Sequence, residues 1–183
     1  MKKGKLTVIT GCMFSGKTTR LISRAEKALK ENKNIEIFYP EIDTRYEKNY
    51  ISSHDAVKLP AKPIPMETTV LNIEHLVFDM VFIDELHFFQ KPMILVIQQL
   101  LDKGIDVIIS GLDRNYRAEG FGIMPDLIAM ADEVVYLKAW CTVCGKDAIY
   151  TYRVNAKKED ETIIIGGVDL YEARCEQHYI KPE

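Results

Sequence analysis

Residues Gly11 to Thr18 read G-C-M-F-S-G-K-T, and they stand between an apolar β run and a helix-forming stretch. This is G-x-x-x-x-G-K-[ST] in the context that gives the pattern its meaning. On one side, Leu6-Thr7-Val8-Ile9-Thr10 is rich in β-branched residues and flanked by glycine, the reading of a buried strand. On the other, Leu21, Ile22, Ala25, Ala28 and Leu29 recur at helical spacing. Gly11 and Gly16 let the backbone curl so that successive N–H groups face phosphate oxygens, and the new helix adds its positive end. Gly11, Cys12, Met13, Phe14, Ser15, Gly16, Lys17 and Thr18 are therefore candidate nucleotide-binding residues. Lys17 is expected at the β and γ phosphates and the Thr18 hydroxyl on Mg²⁺. The pattern implies a bound nucleoside triphosphate.

Beyond this unit the chain alternates strands and helices. Ile35 to Pro40 reads as a second strand. The polar, proline-bearing stretch from Glu47 to Pro65 reads as a loop, and long loops in compact enzymes tend to be functional. Met80-Val81-Phe82-Ile83 is a continuous apolar run, as expected of a central parallel strand. Lys91-Pro92 opens a helix through Leu101, with Gly104 just past its end. That helix is apolar on most sides, which fits deep burial in the core or burial against another subunit. Ile105 to Gly111 and Glu133 to Leu137 read as further strands. Such alternation predicts a parallel sheet with right-handed crossovers and helices on both faces, a RecA-like α/β domain. From Trp140 helical periodicity is lost, and short β-like runs (Ile149 to Val154, Thr162 to Ile165) flank the charged turn Lys157 to Glu161. The expected organisation is a nucleotide-binding domain over 1–138 and a small subdomain over 139–183.

An apolar strand ending in Asp84-Glu85, well after a phosphate loop, supplies the loop's partner. Asp84 is placed to hold Mg²⁺, and Glu85, nearer the reacting face, to take a proton from whatever attacks the γ phosphorus. The nucleophile stays open at this point: water makes an ATPase, a substrate hydroxyl makes a kinase.

Cys141-Thr-Val-Cys144 and Cys175-Glu-Gln-His178 form two half-sites about 30 residues apart. They lie in a tail of about 45 residues, too small for a core of its own. Cys141, Cys144, Cys175 and His178 thus predict one structural zinc, closed by four protein ligands and not open for chemistry. Cys12 is not among these ligands and reads as a small side chain that fits the loop.

With 183 residues, 47% of them hydrophobic, the chain can hold one full α/β domain and a small appendage. A formal charge of −3 argues against a general nucleic-acid binder. No apolar run approaches the about 18 residues needed to span a bilayer. The basic start M-K-K-G-K leads into a short run that ends in the phosphate loop, so no signal peptide is expected. A cytoplasmic location follows from the nucleotide chemistry and the metal-type cysteine spacing.

Taken in order, the motifs resemble those of thymidine kinases of the zinc-bearing, P-loop type, the class of vertebrate cytosol, many bacteria and poxviruses. They are M-F-S-G-K-T, then I-D-T-R-Y at Ile42 to Tyr46, S-H-D around His54, and F-I-D-E-x-x-F-F at Phe82 to Phe89. G-L-D at Gly111 to Asp113, F-G at Phe121-Gly122, C-x-x-C, and I-G-G-x-x-x-Y-x-x-x-C-x-x-H at Ile165 to His178 complete the series. The resemblance implies transfer of the γ-phosphate of ATP to the 5′-hydroxyl of thymidine, with Glu85 as base on that hydroxyl. It places Asp43 and Arg45 near the phosphates and metal, Arg45 offsetting charge in the transferring group. Met13, Leu112, Tyr116 and Phe121 fall where the family encloses the thymine ring. Gly166, Gly167, Val168 and Tyr171 match the family's lasso, a loop anchored by the zinc site that covers the nucleoside. A homotetramer and feedback inhibition by deoxythymidine triphosphate are likewise implied. The chain departs from many relatives at Cys12 (Pro), Tyr39 (Lys), His87 (Gln), Tyr116 (Phe) and Gly120 (Pro); of these, Tyr116, with a hydroxyl beside the base, and Gly120, in the turn before Phe121, bear on fine specificity. Two alternatives remain at this stage: a kinase for another deoxypyrimidine nucleoside, and a zinc-bearing P-loop ATPase module.

Overall fold

β1 (Leu6–Gly11) lies wholly buried between two parallel neighbours, β7 (Asp106–Gly111) and β8 (Glu133–Leu137). The computed structural model describes residues 2–44, 47–52, 57–71, 78–156 and 169–182. The sheet continues through β6 (Met80–Ile83), β2 (Ile35–Pro40) and β5 (Lys62–Ile64), in the order β5-β2-β6-β7-β1-β8, with every pairing parallel. β7 stands between the strand that feeds the phosphate loop and the strand that ends in the acidic pair.

Both faces of this sheet are covered, which is why its strands read as continuous apolar runs. Because side chains alternate along a strand, successive residues feed different layers. Val8, Val81, Ile83, Val107 and Ile109 point to one side, where Val96, Ile97 and Leu100 of α2 (Pro92–Asp102) and Met124 and Leu127 of α3 (Met124–Met130) cover them. Ile9, Ile37, Phe82 and Ile108 point to the other, under Leu21, Ile22 and Ala25 of α1 (Lys17–Lys30). Each such side chain contributes about 1.5–3 kcal/mol by leaving water. Leu29, which shares the apolar spacing of α1, is exposed, as is Leu95 on α2.

The stretch from Glu47 to Pro65 departs from its reading as a loop. Its described part holds β3 (Tyr50–Ser52) paired antiparallel with β4 (Lys58–Pro60), and β5 on the sheet edge. Three-residue strands are too short to show a period. Pro60 and Pro63 disguise them further, since proline is tolerated where one edge needs no donor. The Asn49 amide donates to the Tyr39 hydroxyl at 3.0 Å, fastening this insertion to β2. α3 also carries no legible period, being seven residues long.

Past β8 the chain forms β9 (Ala139–Trp140) with β10 (Asp147–Ala148), and β11 (Tyr150–Arg153) with β12 (Tyr171–Arg174), both antiparallel. Cys12, Ala139, Cys141, Ala148, Ala173 and Cys175 form a small buried cluster, so this ribbon shares its interior with the phosphate loop. Arg45, His54, the turn Lys157 to Glu161, the run Thr162 to Ile165, and Gly166, Gly167 and Val168 fall outside the described residues.

Candidate functional site

The phosphate loop, Asp84-Glu85 and Ser110-Gly111-Leu112 all leave the C-terminal ends of parallel strands, where open α/β sheets bind ligands. Gly11 has φ +147, and a Cβ there would meet the Leu137 carbonyl oxygen at 2.2 Å, so only glycine passes. Gly16 precedes α1 with no side-chain cap, leaving the first amides of a long helix for an anion. The Cys12 carbonyl accepts from the Lys17 ammonium and from the Ser15 hydroxyl, each at 2.8 Å, which fixes the loop's curvature. Phe14, at φ 64 and 40% exposed, carries the loop's backbone strain at its outer tip.

Asp84 is buried, and both its carboxylate oxygens are engaged. Thr18 Oγ1 donates to Oδ2 at 2.9 Å, and Ser110 Oγ donates a short bond to Oδ1. Burial, followed by the neighbouring Glu85 charge, raises its pKa to about 6, against the pull of those two hydroxyls. Burial likewise lowers the Lys17 pKa, an effect opposed by Glu85, Cys12, Asp84 and Asp113. The centre is a desolvated set of opposite charges around Lys17. Hard oxygen donors from Thr18 and Asp84 suit Mg²⁺.

Glu85 has φ 51 and ψ 41, a left-handed conformation that costs a non-glycine residue about 1–2 kcal/mol. It begins the 3₁₀ turn Leu86–Phe88, which turns the chain sharply off β6. Asp43 is buried beyond β2, its amide bonded to the Pro40 carbonyl at 2.9 Å.

Leu112, Tyr116, Phe121 and Tyr171 are all buried. Tyr116 and Phe121 belong to one loop, closed by the Phe121 amide on the Asp113 carbonyl at 3.0 Å. β12 sets Tyr171 opposite Arg153 on β11, and the Arg153 guanidinium lies 5.3 Å from the Tyr116 ring centroid. The ribbon thereby meets the 112–121 loop. It meets the phosphate loop too: the Met13 amide donates to Thr151 Oγ1 at 3.0 Å, and the Cys12 thiol to the Ala148 carbonyl at 3.3 Å. Burial pushes the Cys12 thiol pKa up, so it is a packing group rather than a nucleophile.

The ligand atoms of Cys141, Cys144, Cys175 and His178 lie within 4.8 Å of one another. Cys144 Sγ is 3.7 Å from Cys175 Sγ, and His178 Nδ1 is 3.2 Å from Cys175 Sγ and 3.8 Å from Cys141 Sγ. A tetrahedral zinc with Zn–S near 2.3 Å separates its sulfurs by about 3.8 Å, so the spacing fits that metal. No cysteine is in a disulfide. Burial opposes ionisation of Cys141, but amide donors of Cys175, Val143 and Cys144 outweigh it and lower its pKa to about 6.

Sequence reasoning missed Ser110, Thr151, Arg153 and the contacts of His87. Thr151 and Arg153 are two apart on a short strand, a period-2 signal too brief to read. Ser110 announces itself only through the parallel register that sets β7 beside β6.

The family model described as thymidine kinase matches residues 4–179. A thymidine kinase of Coprothermobacter proteolyticus is 42% identical over 183 residues, covering 98% of this chain and 92% of the relative. Thymidine kinases of Thermococcus kodakarensis (36%, covering 98% and 96%) and Bacteroides thetaiotaomicron (39%, covering 98% and 89%) are similar over the same extent.

Proposed function

The chain belongs to the thymidine kinase family, and from that premise we propose how its own residues carry the γ-phosphate of ATP to the 5′-hydroxyl of thymidine. The observation that carries the reading is the convergence of the phosphate loop, Asp84-Glu85 and Leu112 at one end of three adjacent parallel strands. The triphosphate lies on residues Gly11 to Thr18, its charge offset by the α1 amides and by Lys17, released from the Cys12 carbonyl. Thr18 and Asp84 would hold Mg²⁺, which when bound would neutralise phosphate charge during the transfer. Thymidine sits between Met13, Leu112, Tyr116, Phe121 and Tyr171. Its 5′-oxygen forms the new bond to the γ phosphorus as the bond to the β,γ-bridging oxygen breaks and ADP leaves. The hydroxyl proton passes to the Glu85 carboxylate. Arg45 is assigned to offset charge on the transferring group, and Asp43 to the phosphate and metal side of the site. Gly166, Gly167 and Val168 close over the nucleoside and keep water from the γ phosphorus.

Zinc on Cys141, Cys144, Cys175 and His178 staples the ribbon and does no chemistry. In this reading 1–138 is the catalytic domain and 139–183 the zinc-bearing subdomain. A homotetramer is proposed, supported by apolar residues left exposed at the edge strand β8 and beyond it, Tyr136 and Trp140, and on α2, Leu95. Deoxythymidine triphosphate should act as feedback inhibitor, because one molecule can place its base in the nucleoside pocket and its triphosphate on the loop. A cytoplasmic location is supported by four cysteines outside any disulfide. No helix among the described residues is long and apolar enough to cross a membrane.

The test is release of ADP with thymidine, with deoxyuridine and with neither. Release that requires thymidine is expected. Equal use of deoxyuridine would widen the assignment to deoxypyrimidine nucleosides, and release without a nucleoside would make the chain an ATPase.

A further inference from the structure

His87 is buried, two residues past Glu85, and its ring makes four contacts that belong to different parts of the site. Its Nδ1 accepts the Leu112 amide at 3.2 Å and lies 3.6 Å from Glu85 Oε2. Its ring meets Phe121 at 4.7 Å between centroids and Phe88 at 4.2 Å. The backbone of His87 is held as closely: a Cβ on Gly122 would fall 2.4 Å from the His87 carbonyl oxygen. With φ +54, Gly122 is required there both for its conformation and for that approach. The F-G pair of the sequence therefore docks on His87 with both residues, Phe121 against the ring and Gly122 against the peptide.

We propose that His87 is a positioning residue for phosphoryl transfer, joining the turn that carries Glu85 to the loop that encloses the nucleoside. The Glu85 turn leaves β6 and the 112–121 loop leaves β7, and the paired strands alone fix neither exit. The imidazole bridges the two exits. Because Nδ1 accepts an N–H, it carries no proton, and the ring proton is on Nε2. Nδ1 is thereby barred from donating to Glu85, whose carboxylate it touches without neutralising. The 5′-hydroxyl, held by the loop, and the base, held by the turn, keep a fixed separation, and misplacement by about 1 Å at such a point costs on the order of 100-fold in rate. The inference rests on the proposed role of Glu85 as base.

The experiment compares His87→Asn with His87→Leu, two side chains of nearly equal shape, of which only Asn has an acceptor (Oδ1) where Nδ1 stood. His87→Leu is expected to lower kcat by about 10- to 100-fold and raise KM for thymidine. KM for ATP should stay within about twofold, since the His87 ring joins the Glu85 turn to the 112–121 loop, on the nucleoside side of the site. His87→Asn is expected to recover most of the kcat. Equal loss in both, wild-type turnover in His87→Leu, or parallel weakening of thymidine and ATP would each overturn the proposal. If His87→Leu does not fold, His87→Phe, which keeps a ring and lacks the acceptor, takes its place in the comparison. The wild-type enzyme supplies a reading free of substitution: ¹⁵N shifts of His87 should show Nδ1 unprotonated and Nε2 protonated at neutral pH, and a protonated Nδ1 would also overturn it. Glu85→Gln is run alongside. If it keeps its turnover, the base assignment itself fails. If it is inactive while His87→Leu matches wild type, only the role of His87 fails.

Discussion

The main-chain amide of Met13 donates to the hydroxyl of Thr151 at 3.0 Å, so the phosphate loop and the ribbon are fastened to each other. The Cys12 thiol, bonded to the Ala148 carbonyl beside it, makes the same join a second time. We predict that Thr151→Val, which keeps the branched shape and removes the acceptor, costs about 1 kcal/mol of stability. It should also raise KM for ATP, although Thr151 lies far along the chain from the nucleotide motif. Thermal melting and ATP kinetics check this, and unchanged ATP kinetics would mean that the loop holds its curve unaided.

The same join alters what zinc loss should do. From sequence, Cys175→Ser is expected to weaken thymidine far more than ATP, whose motif lies in the other part of the chain. With Cys12 packed in one cluster with Cys141 and Cys175, we predict weakening of both ligands, thymidine the more strongly. Metal analysis should find about one zinc per wild-type chain and a marked loss in the variant. An ATP affinity untouched by zinc removal would show that the shared cluster transmits nothing.

Glu85→Gln preserves size and removes the proposed base. Turnover should fall by on the order of 10²–10⁴ while ATP still binds, as read by single-turnover rates and nucleotide titration. Near-normal turnover would take Glu85 out of the mechanism. The left-handed conformation at Glu85 adds a second expectation. Glu85→Gly should relieve backbone strain of about 1 kcal/mol, so it should melt no lower than Glu85→Gln, while being equally inactive.

How far the site was legible depended on how local its signals were. The phosphate loop declares itself because glycine, lysine and threonine must stand at set places within eight residues. Asp84 declares itself because a continuous apolar strand ends on it. The Cys/His cluster that fits zinc is legible as two short half-sites, each a self-contained turn. Ser110, Thr151 and Arg153 were not legible because their partners, Asp84, Met13 and Tyr116, are distant in sequence and join them only through sheet register and ribbon docking. The short strands β3, β4 and β5 hid for another reason: three residues cannot establish a period, and proline masks what they have.

Tyr171 is buried on β12 opposite Arg153, which places it on the ribbon side of the proposed nucleoside site. We predict that Tyr171→Ala weakens thymidine at least tenfold, the order expected when a large buried aromatic is lost from a ligand pocket. Zinc content should stay at the wild-type level, because Tyr171 is not a ligand. Equal weakening of thymidine and ATP would point to general loosening of the ribbon instead.

Asp84 sets stability against function, with a sign that can be worked out. Its folded pKa, about 6, lies above the ordinary 3.8 because burial and then the Glu85 charge disfavour the anion. The unfolded chain therefore ionises first as pH rises. Between those two values the folded state binds more protons, so stability falls with rising pH through this window, and above it the whole penalty is present. Asp84→Asn removes the charge while keeping polar atoms for the Thr18 and Ser110 hydroxyls. We predict that at pH 7, without divalent cations, this variant melts higher than wild type, by up to a few kcal/mol of stability. The advantage should shrink toward pH 4, where both side chains are neutral. Phosphoryl transfer should be nearly abolished, because the carboxylate proposed to hold Mg²⁺ is gone. Melting curves across that pH range decide the matter. A variant less stable than wild type at pH 7 would mean that the two accepted hydroxyl bonds outweigh the cost of burying the charge.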